Sequence, residues 1–155
     1  MCLIGCTSDI SSSQINDEDI RSQVLKKNKI GHQYIFKTED QTTTQLTYLG
    51  ILRTTKGVQY KIMNSVWIWG LNGNRATSRI LVFSAANQYL GNFPITVIDD
   101  LPNSIRNNSL EFTNKISTYC DPETVTSLSF NNGIPKEFFR KCKGNGGDVY
   151  TFEPE

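Results

Sequence analysis

The chain has 155 residues, enough for one domain with its own hydrophobic core and no need of metal or several disulfides. Sixteen basic residues nearly cancel fifteen acidic ones, for a net charge of +1, so nothing electrostatic points to a nucleic-acid or anionic-membrane partner. Apolar content is 37%, Asn, Thr and Ser are plentiful, and no apolar run approaches the roughly 18 residues that cross a bilayer.

Thr7 to Asp19 is polar, rich in Ser and acid, and has no apolar face. Such a segment buries too little surface to order itself and suits a tether. Residues 1–19 are therefore expected to form a flexible leader, and 20–155 a single β domain. A short helix is expected over about Asp17 to Asn28. Asn16 or Asp17 caps it, acids fill its first turn, Lys26 and Lys27 its last, and Ile20, Val24 and Leu25 share a face. It either packs on the domain or belongs to the tether, and Gly31 ends it.

From Gln33 the hydrophobic period becomes that of strands. Gln33 to Lys37 predicts a strand and Glu39 to Thr43 a polar turn. Gln45 to Arg53 predicts a second strand, with Leu46, Tyr48 and Leu52 on one face and Leu49 and Ile51 on the other. Thr54 to Gly57 is a hairpin turn. Val58 to Trp69 is a long third strand, expected to carry a β-bulge near Asn64-Ser65. Gly70 to Asn74 turns the chain. Ser78 to Ser84 is almost continuously apolar and is expected at the centre of the sheet. Ala86-Asn87 turns, and Gln88 to Ile95 returns.

Asp99 to Asn108 predicts a loop, Ser109 to Thr113 a short strand, and Thr124 to Phe130 another. Asn132-Gly133 is the strongest short hairpin signal, a type I′ turn with positive φ at both positions. Ile134 to Cys142 would return from it as an edge strand, because Pro135 cannot donate to a ladder. A one-turn helix starting at Pro135 competes. Asp148 to Phe152 closes the sheet. Eight or nine short strands with little room for crossover helices predict an all-β fold, an antiparallel meander forming a β-sandwich or open barrel.

Four cysteines fall into two groups, Cys2 and Cys6 at the start, Cys120 and Cys142 within the domain. The register set by Asn132-Gly133 puts Cys142 opposite Glu123 and Cys120 about one pair beyond, close enough for a disulfide if Asp121-Pro122 folds back. Two buried free thiols are the alternative. Zinc is not expected, since there are no two close cysteine pairs and His32 is the only histidine.

Trp67 and Trp69 share one face of the third strand. Such a pair either fills the end of the core or, with neighbouring Tyr60, makes a platform on which sugar rings or bases can stack. His32 is read as a surface or turn residue. Asp99 and Asp100 are read as bounding a turn, because adjacent residues of an extended chain point opposite ways. Lys136, Arg140, Lys141 and Lys143 are read as a solvated edge that discourages strand pairing. No Gly-rich phosphate loop, nucleophile elbow or zinc-protease motif occurs. No cofactor and no catalytic residue is assigned.

The run Leu3-Ile4-Gly5-Cys6 resembles the lipobox of bacterial lipoproteins, in which a small residue precedes the cysteine that receives lipid. The resemblance covers those four residues and implies a lipid on Cys6, a tether after it, and an oxidising envelope compartment in which Cys120 and Cys142 pair. It also implies a signal peptide, with a basic and an apolar stretch before Leu3, so the expected start lies upstream of Met1. The resulting expectation is a non-enzymatic binding module on a bacterial cell envelope. Its membrane contact is through the lipid anchor alone, its partner is a protein or a glycan rather than nucleic acid, and it is a monomer. The alternatives are an immunity-type protein that blocks a toxin or hydrolase, an enzyme with an unrecognised site, and a cytoplasmic location.

Overall fold

The computed structural model describes residues 16–38, 40–114 and 119–155. The lipobox-like run, Cys2 and Cys6 lie outside the described residues.

A single helix, α1 (Asp17–Lys27), opens the described chain. The Asn16 side chain accepts from the Glu18 amide at 3.1 Å, and Asp17, Glu18 and Asp19 meet the positive end of the helix dipole. Asn28, rather than Gly31, ends it in the left-handed conformation at φ 51°. Ile20, Val24 and Leu25 are buried against the sheet, so the helix belongs to the domain, and it takes in Asp17 to Asp19.

Eleven strands follow: β1 (Gln33–Lys37), β2 (Thr43–Arg53), β3 (Gln59–Trp69), β4 (Arg75–Ser84), β5 (Tyr89–Ile95), β6 (Ser104–Arg106), β7 (Ser109–Thr113), β8 (Val125–Ser129), β9 (Glu137–Lys141), β10 (Gly147–Thr151) and β11 (Glu153–Pro154). All their pairings are antiparallel. The large sheet runs β1-β2-β3-β4-β5-β11, and two small sheets run β6-β7-β8 and β10-β9. This is an all-β, sandwich-like arrangement whose sheets do not close into a barrel. β4 is central, as its apolar run predicted, with Ile80, Leu81 and Val82 fully buried.

Each face of the large sheet has its own core. One face packs on the small sheets, joining Leu52, Ile62, Ile80, Val82 and Phe93 to Leu110, Phe112, Phe138 and Tyr150. The other packs on α1, joining Leu46, Tyr48, Met63, Leu81 and Phe83 to the three helical side chains. The bulge expected near Asn64-Ser65 lies instead in the neighbouring strand. β3 keeps unbroken register with β4 through Asn64 and Ser65, whereas β2 shifts between Tyr48 and Gly50. Leu49 is the extra residue, and Gly50 accommodates it at φ 119°. The division of β2 changes accordingly. Leu46 and Tyr48 face the helix, while Leu49 and Leu52 face the small sheets.

Asn132-Gly133 makes a turn but not a hairpin. Only Gly133 has positive φ there, and its amide donates to Phe130 O at 2.9 Å. β8 pairs with β7, and β9 with β10. The two-residue left-handed turn sits at Asn107-Asn108, both with positive φ, joining β6 to β7 inside the segment expected to be a loop. The Asn108 amide then docks this hairpin on the end of β2, accepting from Arg53 N and donating to Arg53 O, each at 2.8 Å. β10 pairs only with β9, so it is β11, against β5, that borders the large sheet.

Candidate functional site

α1 covers only part of its face of the large sheet. Residues on that face alternate along each strand: Met63, Ser65, Trp67 and Trp69 on β3, and Arg75, Thr77, Arg79, Leu81 and Phe83 on β4. Met63, Leu81 and Phe83 lie in the helix-covered core. The open half holds Trp67 and Trp69, with Thr44 opposite Trp67 on β2, and Thr77 and Arg75 opposite the two tryptophans on β4.

The tryptophans stack, with ring centroids 5.5 Å apart and planes at 22°. Trp69 is half-buried and further held. Its indole N–H donates to Thr77 Oγ1 at 3.4 Å, and the Arg75 guanidinium carbon lies 5.2 Å from its ring centroid. Trp67 is 43% exposed, which makes it a large aromatic at the surface rather than a core filler. Arg79, opposite the small and buried Ser65, is exposed. Among the strand residues on this face the basic ones are Arg53, Lys61, Arg75 and Arg79, and Lys61 is engaged with Asn87 Oδ1 at 2.6 Å. The acidic one is Glu153 on β11, which lies across Asn92 from the helix-covered Leu81 rather than beside the tryptophans. Tyr60 does not join the pair. It points to the other face, edge-on to Phe130 at 5.8 Å, because it is an odd number of residues from Trp67 and Trp69.

The opposite face carries a shallow cleft of about 170 Å³. Gln33, Gln45, Thr47 and Asn64 form its floor, and Ile98, Leu101 and Pro102 its wall. It holds amides and hydroxyls but no titratable group. Asn64 donates to Pro102 O at 2.8 Å, while its buried Oδ1 has no partner.

A buried polar network lies between the sheets. Arg140 is 3% exposed and sits 3.4 Å from Asp100 Oδ1. It also donates to Asn114 Oδ1 at 2.6 Å and to the carbonyls of Asp100 at 3.1 Å and Asp99 at 3.3 Å. Tyr150 O–H donates to the other Asp100 oxygen. Burial, and then the Asp100 carboxylate, push the Tyr150 hydroxyl well above its usual range. Arg140 is thus not part of a solvated basic edge. Lys136, Lys141 and Lys143 are outside the core, but the alternation of β9 turns Arg140 inward. Asp100 likewise does more than bound a turn. No local signal marks this network, since its members are 40 and 50 residues apart. Its enclosure makes it a structural clasp rather than a site open to substrate.

Cys120 and Cys142 are disulfide-bonded. The geometry that joins them is the Asp121 amide donating to Cys142 O at 2.8 Å, not a β8–β9 hairpin. His32 is exposed and edge-on to Tyr34 at 4.5 Å. Among the described residues, no group of three or more His, Cys, Asp or Glu side chains is placed to hold a metal ion. The exposed aromatic pair with its flanking arginines is therefore the candidate site. Comparison with family models, with curated proteins and with solved structures finds no match for this chain.

Proposed function

We propose that the protein is a non-enzymatic carbohydrate-binding module that takes its ligand on the open half of the helix-side sheet face, at Trp67 and Trp69. The observation that carries this reading is Trp67. It stands 43% exposed on a rigid central strand beside a second tryptophan, where burial in the core was the competing use. A flat indole held in this way offers a sugar ring an apolar face at little entropic cost, since the stack with Trp69 already fixes it. In the same proposal the module is displayed on a bacterial envelope by a lipid on Cys6, with the polar residues after it as the tether.

A glycan array probed with the full chain tests the binding. Retention on defined glycans, lost in Trp67→Thr while the thermal midpoint stays within a few degrees, supports the reading. Unchanged retention in that variant, or its failure to fold, overturns it. For the anchor, mass spectrometry of the protein made from its own gene in a bacterium should find diacylglycerol on Cys6, and Cys6→Ser should move the protein to the soluble fraction. An unmodified Cys6 removes the lipoprotein part of the proposal and leaves the binding part standing.

A further inference from the structure

We infer that the ligand of this face is an acidic oligosaccharide, whose uronate carboxylates meet Arg75 and Arg79 while one of its rings lies on Trp67. The inference rests on the carbohydrate reading above and adds the charge and the length of the ligand.

Three features carry it. First, the charge on the open half of the face is of one sign. Arg75, Thr77 and Arg79 alternate along β4 on the same side as the tryptophans, and none of the strand residues on that side of β2, β3 and β4 is acidic. A chain with a net charge of only +1 has thus gathered two guanidiniums beside its tryptophan stack. Second, guanidinium suits carboxylate. Its planar fork meets both oxygens at once, and it keeps its charge at every physiological pH. Arg75 is already oriented by the Trp69 ring at 5.2 Å, so less rotamer freedom is lost when it binds. Third, the spacing favours a chain of sugars over a single one. Arg75 and Arg79 are four residues apart on an extended strand, about 13 Å at ~3.3 Å per residue, with Trp67 on the adjacent strand opposite Thr77 between them. A chain of sugars matches that spacing better than a single ring.

Nucleic acid fits this face less well. A strand of phosphates needs a continuous basic track, and only two arginines flank the pair. The two indoles are also in contact with each other at 5.5 Å, which leaves no gap for a base between them.

The test is titration calorimetry of the full chain against three probes of matched length: an oligogalacturonate, a neutral cello-oligosaccharide and a single-stranded oligothymidylate. The oligogalacturonate is expected to bind at least tenfold more tightly than the other two. Arg79→Gln should weaken it about five- to tenfold, in line with the loss of one oriented charge contact. Its affinity should fall as salt rises from about 0.01 M to about 1 M, because the Debye length shrinks from ~30 Å to ~3 Å. Arg79 is exposed and outside both cores, so its variant is expected to fold. Equal binding of the neutral and acidic oligosaccharides, both lost in Trp67→Thr, overturns the acidic inference and keeps the carbohydrate module. Binding of neither sugar overturns both. Preference for the oligothymidylate makes the face a nucleic-acid surface and also overturns both.

Discussion

Replacing Arg140 by Met should cost more stability than any other single change of a charged side chain among the described residues. The guanidinium is 3% exposed, lies 3.4 Å from Asp100 Oδ1, and donates to Asn114 Oδ1 and to the carbonyls of Asp99 and Asp100. Methionine fills much of the volume but leaves Asp100, itself 8% exposed, as a buried carboxylate answered, among the described side chains, by the Tyr150 hydroxyl. Breaking a buried pair in this way costs about 3–5 kcal/mol, since the remaining charge keeps its desolvation penalty and loses its compensation. With a urea dependence of about 1.5–2 kcal/mol per molar for a domain of this size, the unfolding midpoint should drop by about 2 M. Urea denaturation followed by tryptophan fluorescence measures it. The double variant Arg140→Met with Asp100→Asn should recover part of the loss, because the orphaned charge is gone. A midpoint shift below about 0.5 M for the single variant would refute the reasoning, because an arginine that costs so little is solvated and not clasped.

Stability should fall as pH rises past about 10, the ordinary tyrosine value. Tyr150 and Tyr48 both have raised folded-state pKa values, through burial first and, for Tyr150, through Asp100 next. Above pH 10 the unfolded chain releases protons that the folded one retains, so stability declines by up to ~1.4 kcal/mol per pH unit per tyrosine. Tyr150→Phe should lessen that alkaline slope, and an unchanged slope would remove Tyr150 as its source. Changing Cys120 and Cys142 together to Ser opens a loop of sequence separation 22 and should lower stability by ~3 kcal/mol in the chain-entropy model, read as a lower thermal midpoint. Gly91 sits at φ 142°, and a Cβ there would meet Glu153 O at 2.3 Å. Gly91→Ala should therefore detach β11, seen as faster amide exchange at Glu155, whose N–H donates to Leu90 O, at a cost of about 1–3 kcal/mol. Protection unchanged at Glu155 would count against that contact.

Local patterning made much of this protein legible in its sequence. Alternation and turn residues located most of the strands, because burying one face of a sheet writes a period of two into the chain. The capping of α1 by Asn16, with acids after it and lysines before its end, was readable for the same local reason. Trp67 and Trp69 had to share a face at their spacing, whatever covered it. What covered it was decided elsewhere. The length of α1 leaves those tryptophans open, and no property of β3 alone distinguishes an indole beneath a helix from one beyond its end. The pairing of strands was likewise non-local. Asn132-Gly133 carries the stronger hairpin signal, yet β8 goes to β7, and the left-handed turn forms at Asn107-Asn108, whose side chain locks onto Arg53 some 55 residues away. A single extra residue at Leu49 switches which alternate residues of β2 face the helix, a choice made by packing on both sides of the sheet at once. Arg140 shows the limit most clearly. The other basic residues near it in sequence, Lys136, Lys141 and Lys143, are on the surface, and it is buried only because Asp100, Asn114 and Tyr150 arrive from separate strands and loops to satisfy it. A charge leaves water only where the whole fold supplies its partners, and that supply is a property of the tertiary structure.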